Sequence, residues 1–466
     1  MKRTWLVWLV LASLTAGACS RGGGNGSTAT SSPPATVAAA ATSSTVANPC
    51  STPLQATEVG ITATDITIEV MADVGSPLAP GLFQGNIDAV NAFASYVNQH
   101  GGVGCRKLVV RTWDSKLDPS ESKNGQIDSC QNALAMVGTN ALFNPDVTPL
   151  NTCVDKSGQA TGLPDIAAVT ADINEQCGPT VFNVQGVPQK CPISPGPRVV
   201  TQGIGPLKWQ LQRNPGLHGL YLVAGDLPST IQVEVPTVAA FQQAGMVWDA
   251  TPKVFGRDTQ TAYTPRVQIA RTKGSTYVYD GSNDVAMVRM RKEAAAQGLT
   301  SVKVWDCTIA CYTKAFLAQG GSDVEGTYVW MPFLPFEEAS YNPEDQAYVS
   351  AIGVTKADSF GAEAWQTAVA FKTAVDAVVA KSGPNALTRA SLMQALRGLT
   401  NFTANGWMGE KSLQGGNAIS PCFMIMQVRN GAFARVYPSQ PGTMDCNPSN
   451  LVNVTIDPVA AAAALK

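Results

Sequence analysis

Three aspartates each close a short run rich in β-branched and aromatic residues: Asp226 ends GLYLVAGD, Asp280 ends STYVYD and Asp306 ends VKVWD. In open α/β sheets ligands bind beyond the carboxyl ends of the strands. Carboxylates at these places would face one cleft and accept charge-assisted hydrogen bonds from an ammonium or from sugar hydroxyls. The plainer role for each is to cap the helix that follows, which aspartate does well. In the first half, similar runs end at Asp73, at Asp114, at Gly138-Thr139-Asn140 and at Thr170-Ala171-Asp172. Asp114 reads as structural, because Asp118-Pro119 starts a helix immediately and leaves it little reach. Catalysis finds less support. There is no G-x-S-x-G nucleophile turn, and the two histidines, His100 and His218, stand beside glycines in loop-like settings. Two acids in a cleft could in principle hydrolyse a glycosidic bond, but binding is the preferred reading. Zinc lacks a ligand set: no C-x2-C pair occurs, and Cys307 and Cys311 form a lone C-x3-C. No cofactor or metal is assigned.

The elements that would position these residues alternate. ITIEVMAD (66–73) reads as a strand, followed by a helix with Ile87, Val90, Phe93, Ala94 and Val97 at helical spacing, stopped by Gly101-Gly102. KLVVRTWD is the next strand, and Asp118-Pro119 opens a helix over DPSESKNGQIDSCQ. ALAMVG, IAAV and VFNV follow as strands. After the Pro/Gly-rich break QGVPQKCPISPGP the pattern restarts with GLYLVAGD and continues through STYVYD and VKVWD to GTYVWMPF. Long apolar helices are expected over 360–380 and 387–396, and Asn430-Gly431 marks a hairpin. This alternation predicts an α/β fold, with mostly parallel sheets covered by helices on both faces. A chain of 466 residues is too long for one core and predicts two α/β halves.

The beginning of the chain fixes its compartment. Lys2 and Arg3 precede an apolar run from Trp5 to Leu14 and the small residues Ala16-Gly17-Ala18, so residues 1–18 read as a secretory signal peptide. Cys19 follows at once, as in a bacterial lipobox, and is the expected lipidation site. Ala16 departs from the usual Leu, and plain cleavage after Ala18 is the alternative. Residues 19–57 are read as a tether of Ser, Thr, Gly, Ala and Pro, a composition that cannot bury enough surface to fold. Its coil-like part reaches roughly 30 Å. Of eleven cysteines, removing Cys19 leaves an even set, read as five disulfides in an oxidising compartment. Nearness in the strand–helix order gives Cys105–Cys130, Cys153–Cys177 and Cys422–Cys446 as trial pairs. The formal net charge of −2 and the lack of a basic run argue against nucleic acid as a partner. No later apolar stretch is long enough to span a bilayer.

Residues 66–114 contain the pattern A-x-x-x-N-x-x-G-G, from Ala94 to Gly102, leading into R-K-L-x-V. With LKWQLQRNPGLHGLYLVAGD, YVYDGSNDVAMVRMRKEAAAQGL and QVRNGAFARVYP in that order, the chain resembles the type I periplasmic binding proteins of the leucine/isoleucine/valine-binding kind. The resemblance covers roughly residues 60–440. It implies two lobes, 58–185 with 335–416 and 186–334 with 417–450, followed by a tail over 451–466. Three crossover segments would lie near 181–186, 329–336 and 417–421, with a solute in the cleft between the lobes. Family roles carried over residue by residue place Ser76, Thr139, Asn140, Thr170 and Ala171 on a ligand carboxylate, and Asp306 on a ligand ammonium. Asp226 and Asp280 join them from the strand-end argument. Where amino-acid binders offer Tyr, the chain has LPST after Asp226 and SND after Gly281. An amino acid, an amide, a sugar or a polyamine therefore stay open as ligands. The implied function is an exported solute-binding lipoprotein on the outer face of the cytoplasmic membrane, serving an ABC permease. A sensor of the same fold, uncoupled from transport, is the alternative.

Overall fold

Five parallel strands form the first sheet: β1 (Asp65–Ala72), β2 (Lys107–Asp114), β3 (Ala135–Asn140), β4 (Asp165–Val169) and β5 (Val181–Asn183). Their order is β2-β1-β3-β4-β5. The computed structural model describes residues 49–76, 80–193, 196–413 and 419–465. The expected leader, the Cys19 lipidation site, the tether as far as residue 48, and Asn417 and Ala418 of the third expected crossover lie outside the described residues. β1 is buried along nearly its whole length, as an apolar run inside a parallel sheet must be.

β6 (Arg198–Gly203) precedes the second sheet, which holds β7 (His218–Ala224), β8 (Val247–Ala250), β9 (Lys253–Val254), β10 (Tyr277–Asp280), β11 (Val304–Cys307), β12 (Tyr328–Met331), β13 (Met424–Arg429) and β14 (Ala432–Tyr437). The order is β14-β13-β12-β11-β10-β7-β8, with β9 beside β7. β13 runs antiparallel to both of its neighbours, β12 and β14, and is joined to β14 by Asn430 and Gly431 at φ 54° and 73°. Both positive values suit the tight hairpin that this dipeptide marks. Residues 451–466, expected as a tail, instead contain β15 (Leu451–Ile456), antiparallel to β6, and helix Pro458–Ala463. LVNVTI, with Val454 and Ile456 buried between exposed residues, pairs its backbone with β6.

Between its two runs of second-sheet strands the chain returns to the first sheet. Helix Ser359–Ser382 packs on helix Gln84–Gln99 and over β3 and β4. Gly138 permits this closeness: a Cβ there would lie 2.7 Å from Val90 Cγ2 and 3.4 Å from Ala364 Cβ. Phe93 meets Trp365 edge-on across the same interface, at 5.0 Å between centroids.

The ten remaining cysteines pair as Cys50–Cys105, Cys130–Cys153, Cys177–Cys191, Cys307–Cys311 and Cys422–Cys446. Two trial pairs are corrected. Cys105 joins Cys50 rather than Cys130, and Cys153 joins Cys130 rather than Cys177. The reason is the crossover: the helices before and after β2 cover opposite faces of the first sheet. A Cβ at Gly104, beside Cys105, would lie 3.0 Å from Val375 Cγ1 on one face, while Cys130 and Cys153 join the Met71–Met136 cluster on the other. The end of the expected tether is also pinned. Cys50 is bonded to Cys105, Gln55 O accepts from Arg106 Nη2 at 2.9 Å, and Thr57 Oγ1 donates to Leu387 O at 2.6 Å. No helix among the described residues is long and apolar enough to cross a membrane.

Candidate binding cleft

A cavity of about 330 Å³ opens where the carboxyl ends of the two sheets approach each other. From the first-sheet side it is lined by Thr170 after β4, by Asn183, Val184 and Gln185 at the end of β5, and by Glu363 and Gln366 of helix Ser359–Ser382. Lys411 completes that wall. The opposite wall comes from Tyr221 on β7, Glu234 and Phe241 of helix Pro228–Gln243, Tyr279 and Gly281 at the end of β10, Thr308 after β11 and Trp330 on β12.

The second-sheet wall is aromatic with one acid. Tyr279 lies 4.9 Å from Tyr221 and 5.1 Å from Phe241 between ring centroids, and its hydroxyl accepts from Trp330 Nε1 at 3.1 Å. Glu234 Oε1 accepts from the backbone N–H of Ala224 at 3.0 Å, while its Oε2 is buried without a hydrogen-bond partner. Burial pushes this carboxyl well above its ordinary range, and the nearby Asp280 adds to the shift. Gly281 comes against it: a Cβ there would fall 2.3 Å from Glu234 Oε2.

On the first-sheet wall Glu363 accepts from Gln185 Nε2 through Oε1, and its Oε2 is unpartnered. Burial pushes it up to about 8, against the pull of Gln185 and of the Lys411 charge. Lys411 donates to Val184 O, and burial forces its ammonium well below the usual lysine range, with Glu363 opposing. Gln366 Nε2 also lacks a partner. Buried polar atoms are nearly always hydrogen-bonded, so three unpartnered atoms on the walls of one cavity mark places for a solute.

Of the residues singled out in the sequence, Thr170 lines the cavity. Its Oγ1 accepts from Asn183 Nδ2, and its carbonyl accepts from Gln176 Nε2 at 2.9 Å. Ala171 is buried next to it but off the lining. Thr139 Oγ1 on β3 donates to Asp165 Oδ1 on β4 at 2.6 Å, and Asn140 Nδ2 donates to Asn86 Oδ1 at 3.4 Å. Ser76 is buried in the loop after β1. The three aspartates do not converge on the cavity. Asp226 Oδ2 accepts from Gly256 N at 3.1 Å, and Asp280 Oδ1 from Ser282 N at 2.8 Å. Asp306 Oδ2 accepts from Tyr277 Oη at 3.0 Å, with burial pushing the acid up to about 7. Asp114 acts structurally, accepting from the N–H groups of Val74, Gly75 and Lys116. Asp280 meets Cys307 and Cys311, but those sulfurs are joined in a disulfide and unavailable as thiolates. His100 sits at a helix end on Tyr96 O, and His218 pairs with Asp249 at 2.9 Å outside the cavity lining.

Glu234, Glu363, Gln366 and Lys411 escaped the sequence reading, which looked at strand ends. A usable signal was present: Glu234 and Glu363 are lone acids inside apolar helical runs, VEVPTVAAF and GAEAWQTAVAF. A charge on a face that must be buried is costly unless something answers it.

The family model described as periplasmic binding protein matches residues 65–432. Among solved structures, an ABC-transporter substrate-binding protein from Aeropyrum pernix shares 12% identity, covering 86% of this chain and all of its own length, at TM-score 0.64. A leucine-binding protein from Thermotoga maritima MSB8 shares 12%, covering 83% of this chain and 99% of its own, at 0.61. A fatty-acid ABC-transporter substrate-binding protein from Thermomonospora curvata shares 17%, covering 83% and 97%, at 0.59. No curated protein matches the sequence. With the family model spanning most of its length and two parallel-stranded sheets meeting over a cleft, the chain belongs to the type I periplasmic binding proteins.

Proposed function

We propose that this chain is an extracytoplasmic solute-binding lipoprotein, held to the outer face of the cytoplasmic membrane by lipid on Cys19, that delivers a small solute to an ABC permease. The observation that carries the reading is the cavity between the sheets, whose two walls each supply a buried acid with an unused oxygen. A solute touching both walls binds the closed arrangement of the lobes more tightly than the open one, and that difference is what drives closure. The similar structures are titled for solutes as different as leucine and a fatty acid, so the ligand has to be argued from this cleft. Its aromatic wall suits an apolar body, and its unpartnered atoms suit a polar end. The crossover segments that would flex include Val184–Gly186 on one strand exit and Pro332 on another, all on the cavity lining.

A thermal-shift screen over amino acids, amides, sugars and polyamines tests the reading, followed by calorimetry on any hit. A solute at a hundredfold its Kd adds about 2.7 kcal/mol to stability. The expected outcome is a clear rise in Tm for one class, and at least a tenfold affinity loss in Glu234→Gln. A hit whose affinity is unmoved by substitutions on either wall would place binding elsewhere and defeat the proposal. Loss of membrane association in Cys19→Ser cells tests the anchor separately.

A further inference from the structure

Glu363 and Gln366 lie three residues apart on helix Ser359–Ser382, so their side chains leave one face of it. Each is about 1% exposed, and both line the cavity. Glu363 Oε1 is used by Gln185, but Glu363 Oε2 and Gln366 Nε2 have no partner. A leucine or methionine at either place would fill the same space without leaving a buried polar atom unsatisfied, which is destabilising. The wall thus offers one unused acceptor beside one unused donor. Lys411 is already committed to Val184 O; its charge pulls Glu363 towards the ionised, accepting form, which a solute N–H donating to Oε2 favours further.

We propose that this pair reads the edge of a carboxamide-type solute, one that carries an N–H and a C=O side by side, as in a primary carboxamide or a lactam. The solute N–H donates to Glu363 Oε2, and Gln366 Nε2 donates to the solute carbonyl. The rings of Tyr221, Tyr279 and Trp330 on the facing wall take the apolar remainder. The assignment rests on the proposed solute-binding function and adds the chemical class to it. The isosteric alternatives each fit half of the pair. A carboxylate brings no donor for Glu363 Oε2, and an amine would face the Gln366 N–H with a second donor. An amide satisfies both atoms at once.

Calorimetry on the full chain with matched probes tests this: benzamide, 2-piperidone, benzoate, benzylamine and benzamidine. The expected result is at least a tenfold preference for benzamide or 2-piperidone over the acid and the amine. Gln366→Glu, which turns the pair into two acceptors, should shift the preference to benzamidine by at least tenfold. Gln366→Leu provides a second reading should that variant fold poorly, and should lower carboxamide affinity about tenfold. A wild-type preference for benzoate, benzylamine or benzamidine overturns the assignment. So does a solute of another class that binds wild type and Gln366→Leu equally, an outcome that leaves the solute-binding function standing. Absence of binding by every class in the wider screen sinks both.

Discussion

A single methyl group at position 281 probes how the cleft acid is held. The Cβ of Gly281→Ala would fall 2.3 Å from Glu234 Oε2 and 2.8 Å from Tyr221 Cε1, closer than real Cβ contacts come. The carboxylate must then leave its place at the Ala224 N–H, since Tyr221 is packed against Tyr279 and Trp248. Calorimetry with an identified ligand should show at least a tenfold affinity loss in Gly281→Ala. Unchanged affinity would mean that Glu234 contributes nothing to the solute. At this scale the sequence was read one residue away from the chemistry. Asp280, ending β10, was the visible candidate, yet its Oδ1 serves the turn at Ser282, and the adjacent glycine is what lines the cavity. A strand end can be located from composition; which side chain points into a space made by another segment cannot.

Helix Pro119–Asn132 shows how local chemistry sets an element. Asp118 Oδ1 accepts from the N–H groups of Ser120 and Glu121 at 2.8 and 3.0 Å, and Pro119 occupies the first turn, where its missing N–H costs nothing. Asp118→Ala should cost about 1 kcal/mol, measured by urea denaturation. A loss below the error of that measurement would show that packing of Ser122, Gly125 and Gln126 holds the helix without its cap. This cap was legible because every atom of it lies within four residues. The disulfides were less so. Cys422 and Cys446 flank a hairpin and pair as expected. Cys105 and Cys130, by contrast, are separated by the sheet itself, and sequence nearness carries no information about faces.

Across the whole molecule, burial raises the pKa of many acids in the fold. Desolvation pushes Glu69, Asp165 and Asp306 up to about 7, Asp280, Asp345 and Glu363 to about 8, and Asp358 to about 6. Unfolded, these groups return to their ordinary values of 3.8 or 4.5. Between those limits the folded chain binds more protons than the unfolded one. Since the slope of stability with pH follows the protons bound by the unfolded state minus those bound by the folded state, it is negative there. Lys411 works the other way, its folded value being depressed, but it is one group against several. Tm should therefore be higher near about pH 5.5 than near about pH 8, a window set by the raised values above. A melting point that climbs steadily towards pH 8 would contradict the raised pKa values of these acids in the fold.

The sequence by itself determined the alternation that makes two parallel-stranded sheets, the apolar helices over 360–380 and 387–396 and the hairpin at Asn430-Gly431. Each is written in periodicity or in a dipeptide with few conformational choices. Tertiary structure decided the rest. It carried helix Ser359–Ser382 back from the far side of the chain so that Glu363 and Gln366 face Tyr221, Glu234 and Tyr279. It turned Asp306 to Tyr277 and away from the cavity lining. It also tied Cys50 to Cys105 across 55 residues. Local structure follows from neighbouring residues, whereas a cleft is built by atoms that meet only when the chain has closed on itself.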